Sequence, residues 1–521
     1  MTAEQHRLRQ GLEDFARQGT FALTQCVCNL VKDMASSGVV APEAPMEEQQ
    51  RKVSDLIGFF EEEVEQLQND VRSDSQAALT PSAPPLDVTD GTVDAFLADV
   101  HVPPQPPAQP GPPESIEEQL DAGLRFFLCM RSPSHGLYRD KLMFSDRNFD
   151  AIPISTSATG FGLIALAISV ARGLVSRDSA LRLALETLRS LRGGPEFAIV
   201  RSANGFMAHW PDHSGNTTGE ISTVDTAILV LGSLFASNFF ADDEFQSYAH
   251  SLATSVYWAD ALVESCPEGR PGMHLIISAD GSGSPHLTRP FNEYYLLAFC
   301  GAFVEKELRH MERGKCTRFF EENFQRPPTT TRNYWGDELL SDHPGRFLPS
   351  FVFQFCYYLS GHFAGSSEYV EFFKSAAKAD LLFWKKAHPL GEDCEVWGCG
   401  AGAYPERFGE NAEDPYGYKA TAIDENQELV YSAPILAGFL PVCPDGEDIK
   451  GKLERWHKSG DACKYDLPNG EALLWRASVR QPEWRAPSIE VVDFSTMVFG
   501  CAAHVLGMEF FHKYAPNFKK R

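Results

Sequence analysis

The stretch Gly205–Gly232, GFMAHWPDHSGNTTGEISTVDTAILVLG, leads from an aromatic segment into the start of a long apolar helix. His209 and Trp210 precede a polar turn, and the carboxylates Glu220 and Asp225 bracket the predicted helix start. A Ser or Thr just before Asp225 can cap that helix, and a carboxylate in the first turn suits the unpaired N–H groups there. Capping explains Asp225 alone. The acidic and Trp-His residues around it therefore make this stretch the first candidate functional site.

The composition describes a large folded protein with a strong negative charge. Its 521 residues are 43% hydrophobic and 12% aromatic, which is ample for a large core. Lys and Arg total 46 against 71 Asp and Glu, a net charge of −25 that disfavours nucleic acid and anionic membranes as partners. No apolar run of about 18 residues is evident, and the first ten residues, MTAEQHRLRQ, do not begin a signal peptide. We therefore predict a cytoplasmic protein with no nucleic-acid or membrane partner.

The cysteine spacing does not indicate a metal site or a disulfide framework. Twelve cysteines are scattered along the chain, mostly in apolar surroundings, as expected of buried thiols. The pair Cys394 and Cys399 has no second Cys or His pair at zinc-ligand spacing. No metal and no cofactor is predicted.

The first 114 residues separate into two segments without evident chemistry. Residues 1–78 are predicted to form two helices, and the second carries an apolar seam of period 3.5 from Val53 to Val71. An intramolecular hairpin is favoured, with a short coiled coil that self-associates through 53–71 as the alternative. Residues 79–114 are Pro-rich and predict a linker.

Residues 115–521 show a helical period almost throughout, with short, often Gly-ended connections. Such helix pairs favour repeated αα-hairpins closed into an all-α toroid, with the loops gathered at one end of a central cavity. The predicted helices are Glu117–Met130, Thr159–Arg172, a helix capped by Ser176 and ended by Gly193–Gly194, Val224–Phe240, Phe245–Leu262, Glu293–Leu308, Val352–Phe363 and Tyr369–Lys386.

Four of the loops combine aromatic with polar or acidic residues. Aromatic rings stack on the apolar faces of pyranose rings, while carboxylates, amides and Arg hold the hydroxyls. Together the loops predict a carbohydrate-binding cleft, although any one of them could simply tuck its aromatics under itself. They are Pro290–Tyr295 (PFNEYY), Asn333–Asp337 (NYWGD), Glu395–Tyr404 (EVWGCGAGAY) and Pro415–Lys419 (PYGYK).

Motifs spread over most of residues 120–515 resemble the bacterial glucoamylase-like domain. That family is similar in turn to endo-β-1,2-glucanases and to the glucan-processing domain of cyclic β-1,2-glucan synthases. The resemblance implies an (α/α)6 barrel that hydrolyses or transfers β-glucosidic bonds. The motifs that carry it are LYRD (Leu137–Asp140), Ile154–Leu191, Gly205–Asp212, Glu220–Phe240, NEYY (Asn292–Tyr295), WGCGAG (Trp397–Gly402), PYGYKAT (Pro415–Thr421), Leu429–Pro444 and Val491–Gly500.

The resemblance also implies roles for four carboxylates. Glu293 stands where the family has a tyrosine-flanked glutamate that acts as general acid. Asp225 corresponds to the acidic residue of the VDT or VET signature, and Glu220 to the glutamate of EIST. Asp493 stands at the acidic position of a C-terminal signature usually reading IDQGP, but Phe-Ser-Thr follows it here.

A second departure from the family affects substrate recognition. The family's FTHQYSH motif reads FVFQFCY at Phe351–Tyr357, so both histidines are absent and Gln354 alone keeps its polar character. The predicted substrate-binding residues are His209, Trp210, Tyr294, Trp335, Gln354, Trp397, Tyr416 and Tyr418.

Glycoside hydrolysis needs one protonated carboxyl for the leaving oxygen and one ionised carboxylate to activate water. Glu293 is the predicted acid, because its aromatic neighbours raise a carboxyl pKa. Glu220, Asp225 and Asp493 remain alternatives for the base. A separation of about 6.5–9.5 Å would indicate inversion and one of about 5–5.5 Å retention.

The predicted function is a glycoside hydrolase or transglycosylase acting on a β-glucan, with β-1,2-glucan as the expected substrate. The alternative is a non-catalytic carbohydrate-binding or interaction module on the same barrel, which the absent histidines favour. A toroid lyase or isomerase is a third hypothesis. It would need a positive pocket or a His/Tyr base, and the basic residues near the loops (Arg289, Arg332, Arg346 and Lys419) do not make that case.

Overall fold

Helices dominate the part of the chain that the computed structural model describes. That part comprises residues 115–144, 152–194, 197–217, 219–266, 270–288, 291–311, 314–327, 330–341, 347–387, 391, 394–405, 417–459, 462–467 and 471–519. The helical hairpin predicted for 1–78, its seam at 53–71, the Pro-rich linker of 79–114 and Tyr416 lie outside these residues. The described residues all belong to one compact unit, Val93–Arg521.

The α-helices alternate between two kinds, one buried all round and one amphipathic. In chain order they are α1 Ser115–Met130, α2 Thr156–Ala171, α3 Arg177–Arg192, α4 Thr223–Phe240, α5 Asp243–Thr254, α6 Tyr295–Phe303, α7 Lys315–Asn323, α8 Ser350–Leu359, α9 Gly361–Ala364, α10 Ser367–Ala387, α11 Ala433–Gly438, α12 Ile449–Ser459, α13 Val491–Leu506 and α14 Met508–Tyr514.

The buried helices α2, α4, α6, α8, α11 and α13 form the centre of the fold. Each contacts the next in this order, and α13 returns to contact α2, so the described helices close a ring. Their sequences are apolar on every face, as expected of helices surrounded by protein. The toroid predicted from the sequence is confirmed.

The amphipathic helices pack around this ring and keep a polar face towards solvent. In α3, for example, Leu183, Leu188 and Leu191 are buried while the Arg and Glu residues between them are not. The predicted cap is also confirmed, since the Ser176 side chain accepts a hydrogen bond from the Ser179 N–H. The α3 helix ends at Gly193, whose φ of 88° suits a residue without a Cβ.

Very short strands brace the starts of three ring helices, and the sequence analysis did not predict them. β3, β9 and β13 each end on the residue before α4, α11 and α13, respectively, and pair antiparallel with a neighbour. At two to five residues, these strands are too short for a period-2 pattern to stand out. They are β1 Lys141–Met143, β2 Met207–Ala208, β3 Ile221–Ser222, β4 Leu262–Val263, β5 Gly272–Met273, β6 Ile276–Ile277, β7 Thr330–Tyr334, β8 Asp337–Ser341, β9 Val430–Ser432, β10 Lys464–Asp466, β11 Ala472–Leu474, β12 Arg476–Ser478 and β13 Ser488–Glu490.

Two predicted helices are shorter than expected. The helix predicted to end at Leu262 stops at Thr254, and a 3-10 turn covers Trp258–Ala261. The helix predicted from Glu293 begins at Tyr295, because the Asn292 side chain accepts the Tyr294 N–H and holds Glu293 in a turn. Glu293 therefore precedes the helix.

Burial also explains the long apolar helix α4. By length and composition α4 could cross a membrane, and so could α13 and α14 if the bent pair is counted as one span. However, 94% of α4 is buried inside the fold, which makes it a core helix. No disulfide joins the cysteines of the described residues.

One very close crossing in the ring is between α2 and α4, where glycines face the partner backbone. A Cβ added at Gly232 would lie 2.1 Å from the Gly160 carbonyl oxygen, and one added at Gly160 would lie 2.6 Å from the Ile228 oxygen. Backbone atoms cannot rotate away as a flexible side chain can, so the helices would have to separate.

We predict that Gly232→Ala lowers the free energy of unfolding by about 2–3 kcal/mol, because the added methyl overpacks this crossing. The matched control is Gly194→Ala, where an added Cβ meets nothing within 4 Å. Chemical denaturation of both variants is the measurement. Equal stability of Gly232→Ala and the wild type would mean that the crossing is looser than described.

Candidate active site

The predicted carboxylates all lie at or just before the first turns of ring helices. Asp225 is in the first turn of α4 and Asp493 in the first turn of α13. Glu293 stands two residues before α6, and Glu220 immediately precedes β3, which runs into α4. The short strands that pair in front of α4 and α13 fix where the residues at those two helix starts point.

His209 joins the two carboxylates that frame the start of α4. Its Nδ1 lies 3.0 Å from Glu220 Oε1 and its Nε2 lies 3.4 Å from Asp225 Oδ1. Pairing of β2 with β3 sets this geometry, and the His209 N–H donates to the Glu220 carbonyl. Burial would lower the pKa of His209, but the charges of Asp225 and Glu220 outweigh it and raise that pKa. The Trp-His segment and the acidic cluster are thus one unit.

The Glu293 carboxyl is recessed from solvent and lies near the negative charge of Asp225. Burial raises the pKa of its carboxyl to about 7, opposed by a backbone hydrogen bond and reinforced by the charge of Asp225. The next residue, Tyr294, is buried beside Glu293 and Asp225, and its hydroxyl bonds the Thr223 side chain. A carboxyl with this pKa is protonated in a substantial fraction near neutral pH, as a general acid requires.

Asp140 belongs to the same group, although the sequence analysis did not select it. Trp210 Nε1 donates to Asp140 Oδ1 at 3.0 Å, and the indole stacks on His209 with ring centroids 3.5 Å apart. The Val491 N–H donates to the Asp140 carbonyl, which joins this residue to the start of α13. Burial, together with the charge of Asp225, raises the pKa of Asp140. The only sequence signal was its position in the LYRD motif.

Asp493 lies on the α13 side of the group. Burial raises the pKa of its carboxyl to about 7, and the charge of Glu490 adds to this while that of Arg476 opposes it. The Tyr418 hydroxyl bonds both Asp493 oxygens, at 3.4 and 3.2 Å. Arg476, fully buried and from distant β12, was also missed by the sequence analysis. It donates to the Gly400 carbonyl and supplies the positive charge nearest to Asp493 and Glu490.

The carboxyls form one electrostatically linked group, because the charge of Asp225 raises the pKa values of Glu293 and Asp140, and that of Asp140 raises the pKa of Asp493. Two aromatic side chains are exposed over it, Trp210 at 40% and Tyr418 at 53%, and each is tethered by a polar atom to one of the carboxylates. Such an arrangement can stack on a sugar ring while presenting a proton donor and a proton acceptor to it.

The prediction that Trp397 and Gln354 bind substrate is wrong, because both side chains are buried. Trp397 is completely buried and stacks on Phe439 with centroids 5.7 Å apart, so its ring cannot reach a ligand. Gln354 is also fully buried, donates to the Ile435 carbonyl at 2.8 Å and lies against Gly438. Both residues hold loops and helices together, which a motif alone does not distinguish from contact with substrate.

Trp335 is exposed, but it lines a separate cavity with Asp424, and the contacts of that cavity do not include the carboxylate group. Trp335 and Tyr294 therefore do not line one common cavity, although their loops were predicted to share a cleft. In the described ranges, no group of three or more His, Cys, Asp or Glu side chains is arranged to hold a metal ion.

Comparison with known proteins identifies the fold. The sequence matches no protein-family profile and no curated protein. Among solved structures, it resembles a candidate glucoamylase from Bacteroides uniformis, with 18% identity, a TM-score of 0.61, and coverage of 77% of this chain and 95% of that one.

Two further structures carry the same likeness. An endo-β-1,2-glucanase from Chitinophaga pinensis, in complex with sophorotriose and glucose, matches 81% of this chain and 95% of its own at 17% identity and a TM-score of 0.57. A β-1,2-glucanase from Parabacteroides distasonis matches 78% of this chain and 60% of its own at 16% identity and a TM-score of 0.56. The chain thus has the toroid fold of glucoamylase-like and endo-β-1,2-glucanase structures.

Proposed function

We propose that this protein is a glycoside hydrolase or transglycosylase that cleaves β-glucosidic bonds, with β-1,2-glucan as its substrate. The observation that carries the proposal is the pair Glu293 and Asp493, two carboxyls with pKa values raised to about 7 in one connected group beneath exposed aromatic rings. The shared toroid of endo-β-1,2-glucanase structures supports the linkage. We also propose, from the sequence alone, that it acts in the cytoplasm.

Glu293 acts as the general acid in this proposal. The burial that raises its pKa leaves a substantial fraction of Glu293 protonated near neutral pH, and the adjacent charge of Asp225 favours the neutral form further. In the reaction Glu293 gives its proton to the glycosidic oxygen as the bond to the anomeric carbon breaks.

Asp493 is the base that the contacts favour. His209 contacts both Glu220 and Asp225, so the charges of these two carboxylates already stabilise the His209 ring. Within the described residues the Asp493 carboxylate accepts a hydrogen bond only from the Tyr418 hydroxyl, and the Tyr418 side chain is half exposed to solvent. A carboxylate with a raised pKa is also the stronger base once ionised. Asp493 then removes a proton from water, directly or through a substrate hydroxyl, and the water attacks the anomeric carbon.

We predict that Glu293→Gln lowers kcat on β-1,2-glucan by about two to four powers of ten, because the amide cannot donate the proton. Digestion of β-1,2-, β-1,3-, β-1,4- and α-1,4-glucans, read as released reducing ends, is the measurement. Thermal unfolding checks that the fold is intact. The matched control is Glu483→Gln, a change at an exposed carboxylate.

The same panel separates the hypotheses. Turnover of β-1,2-glucan above the other polymers supports the proposed linkage, and turnover of another β-glucan would correct it. If no glucan is cleaved but β-1,2-glucan raises the melting temperature, the protein is a carbohydrate-binding module. No response of either kind would remove the carbohydrate assignment.

For the base, we predict that Asp493→Asn loses about two to four powers of ten in kcat with little change in KM, because water is no longer activated. Glu220→Gln should cost less, since it weakens the hold on His209 and leaves acid and base in place. Steady-state kinetics of both variants is the measurement. A greater loss for Glu220→Gln than for Asp493→Asn would reverse the assignment.

The pH profile tests the electrostatic role of Asp225. Activity should fall as the pH rises through the Glu293 pKa of about 7, because the acid loses its proton. Asp225→Asn removes a negative charge that raises this pKa, so the alkaline limb of kcat/KM should move to lower pH. Glu483→Gln is the control and should leave the limb where it is. A limb that stays fixed or moves upward in Asp225→Asn would contradict this role.

A further inference from the structure

An open cavity lies beside the hairpin of β7 and β8. Its volume is about 410 Å³, within the range of about 300–1,000 Å³ common for small-molecule sites. Six residues line it, three of them aromatic and three polar or charged: Arg332, Asn333, Tyr334, Trp335, Phe383 and Asp424. Nothing in the carboxylate group uses this cavity.

Trp335 offers one face of its indole to solvent from a firmly held position. The side chain is 50% exposed, and its ring leans on Tyr334, with centroids 4.4 Å apart, and lies nearly parallel to Phe383 at 6.4 Å. Its backbone φ is +51°, which is rare for a bulky residue. The two-residue turn between β7 and β8 accounts for this φ, and it holds the half-exposed indole where a ligand can stack on it.

The hairpin is anchored to α10, so the ring needs little further ordering when a ligand binds. Lys378 pairs with Asp337 at 2.7 Å, and the Leu340 N–H donates to Ser375 Oγ. Because a preorganised ring loses little entropy on binding, most of its stacking energy would contribute to affinity.

The polar residues of the cavity suit a neutral polyol. Arg332 Nη1 bonds Asp424 Oδ2 at 3.1 Å, and the guanidinium lies over the rings of Tyr334 and Phe347. In the described chain this bond leaves other guanidinium N–H groups and Asp424 Oδ1 available to a ligand. The two charges compensate each other, which disfavours an ionic ligand, while their free donors and acceptor match sugar hydroxyls.

One segment connects this cavity with the carboxylate group. In Gly417–Asp424, Tyr418 bonds Asp493 and Asp424 bonds Arg332. The six steps from Tyr418 to Asp424 span at most ~20–22 Å at ~3.3–3.6 Å per residue. A chain of several glucosyl residues can cover that distance.

We propose that the cavity at Trp335 binds a distal glucosyl residue of a long β-glucan whose scissile bond lies at the carboxylate group. This inference rests on the proposed function and deepens it, because it makes the enzyme selective for long chains. Trp335 stacks on the sugar ring, while Arg332 and Asp424 bond its hydroxyls. We expect a trisaccharide held at the carboxylates to leave the cavity empty.

The test compares Trp335→Ala on long-chain β-1,2-glucan and on the β-1,2-linked trisaccharide. We expect the KM for the long chain to rise by about 3- to 10-fold, the usual worth of an aromatic stack, and kinetics on the trisaccharide to stay unchanged. Trp335→Phe should retain most of the long-chain affinity. The matched control is Tyr257→Ala, an exposed aromatic outside both sites, which should alter neither substrate.

Calorimetry of long-chain β-1,2-glucan with Glu293→Gln, and with that variant carrying Trp335→Ala, measures binding without turnover. A weaker complex in the double variant supports the inference. Equal affinity, or an equal KM change for long and short substrates, overturns it and leaves the proposed function standing. Failure of the wild type to cleave the glucan and of Glu293→Gln to bind it would overturn both.

Discussion

The crossing of α2 and α4 at Gly160 and Gly232 is the contact on which the rest of this structure depends. Only glycine lets the two backbones come this close, and the two helices are apolar on all sides, so neither has a polar face to turn to solvent. The ring they belong to can therefore expose polar groups only at its helix ends. The carboxylates at the starts of α4 and α13 and before α6 follow from that constraint.

Carboxyls grouped at such helix ends have unusual protonation. Several acids share a recessed space with one histidine and one buried arginine, so burial and like charges disfavour their ionised forms. His209 compensates on the α4 side and Arg476 on the α13 side. The result is one group in which Glu293, next to the charge of Asp225, and Asp493, next to that of Asp140, both have raised pKa values. Acid–base chemistry near neutral pH requires such tuning.

Patterns local in sequence predicted much of this arrangement. The helical period predicted the toroid, the Ser and Gly signals predicted the ends of α3, and the crowding of acids around Trp210 predicted a cluster at the start of α4. Trp397 and Gln354 were wrong because polarity and aromaticity do not reveal burial. Asp140 and Arg476 were missed because their partners lie far away in the chain. Asp140 interacts with Val491 and Asp225. Arg476 interacts with Gly400 and Glu490. The choice of base could not be made from sequence, since it depends on which carboxylates His209 already engages.

The most direct test of the account is a crystal structure of Glu293→Gln with a β-1,2-linked glucan oligosaccharide. We expect a glycosidic oxygen within hydrogen-bond distance of the side chain at position 293. We also expect a sugar ring against Trp210 or Tyr418, with Asp493 on the other side of the bond. An oligosaccharide bound away from these residues, or one whose glycosidic oxygens all lie beyond the reach of position 293, would contradict the proposed function.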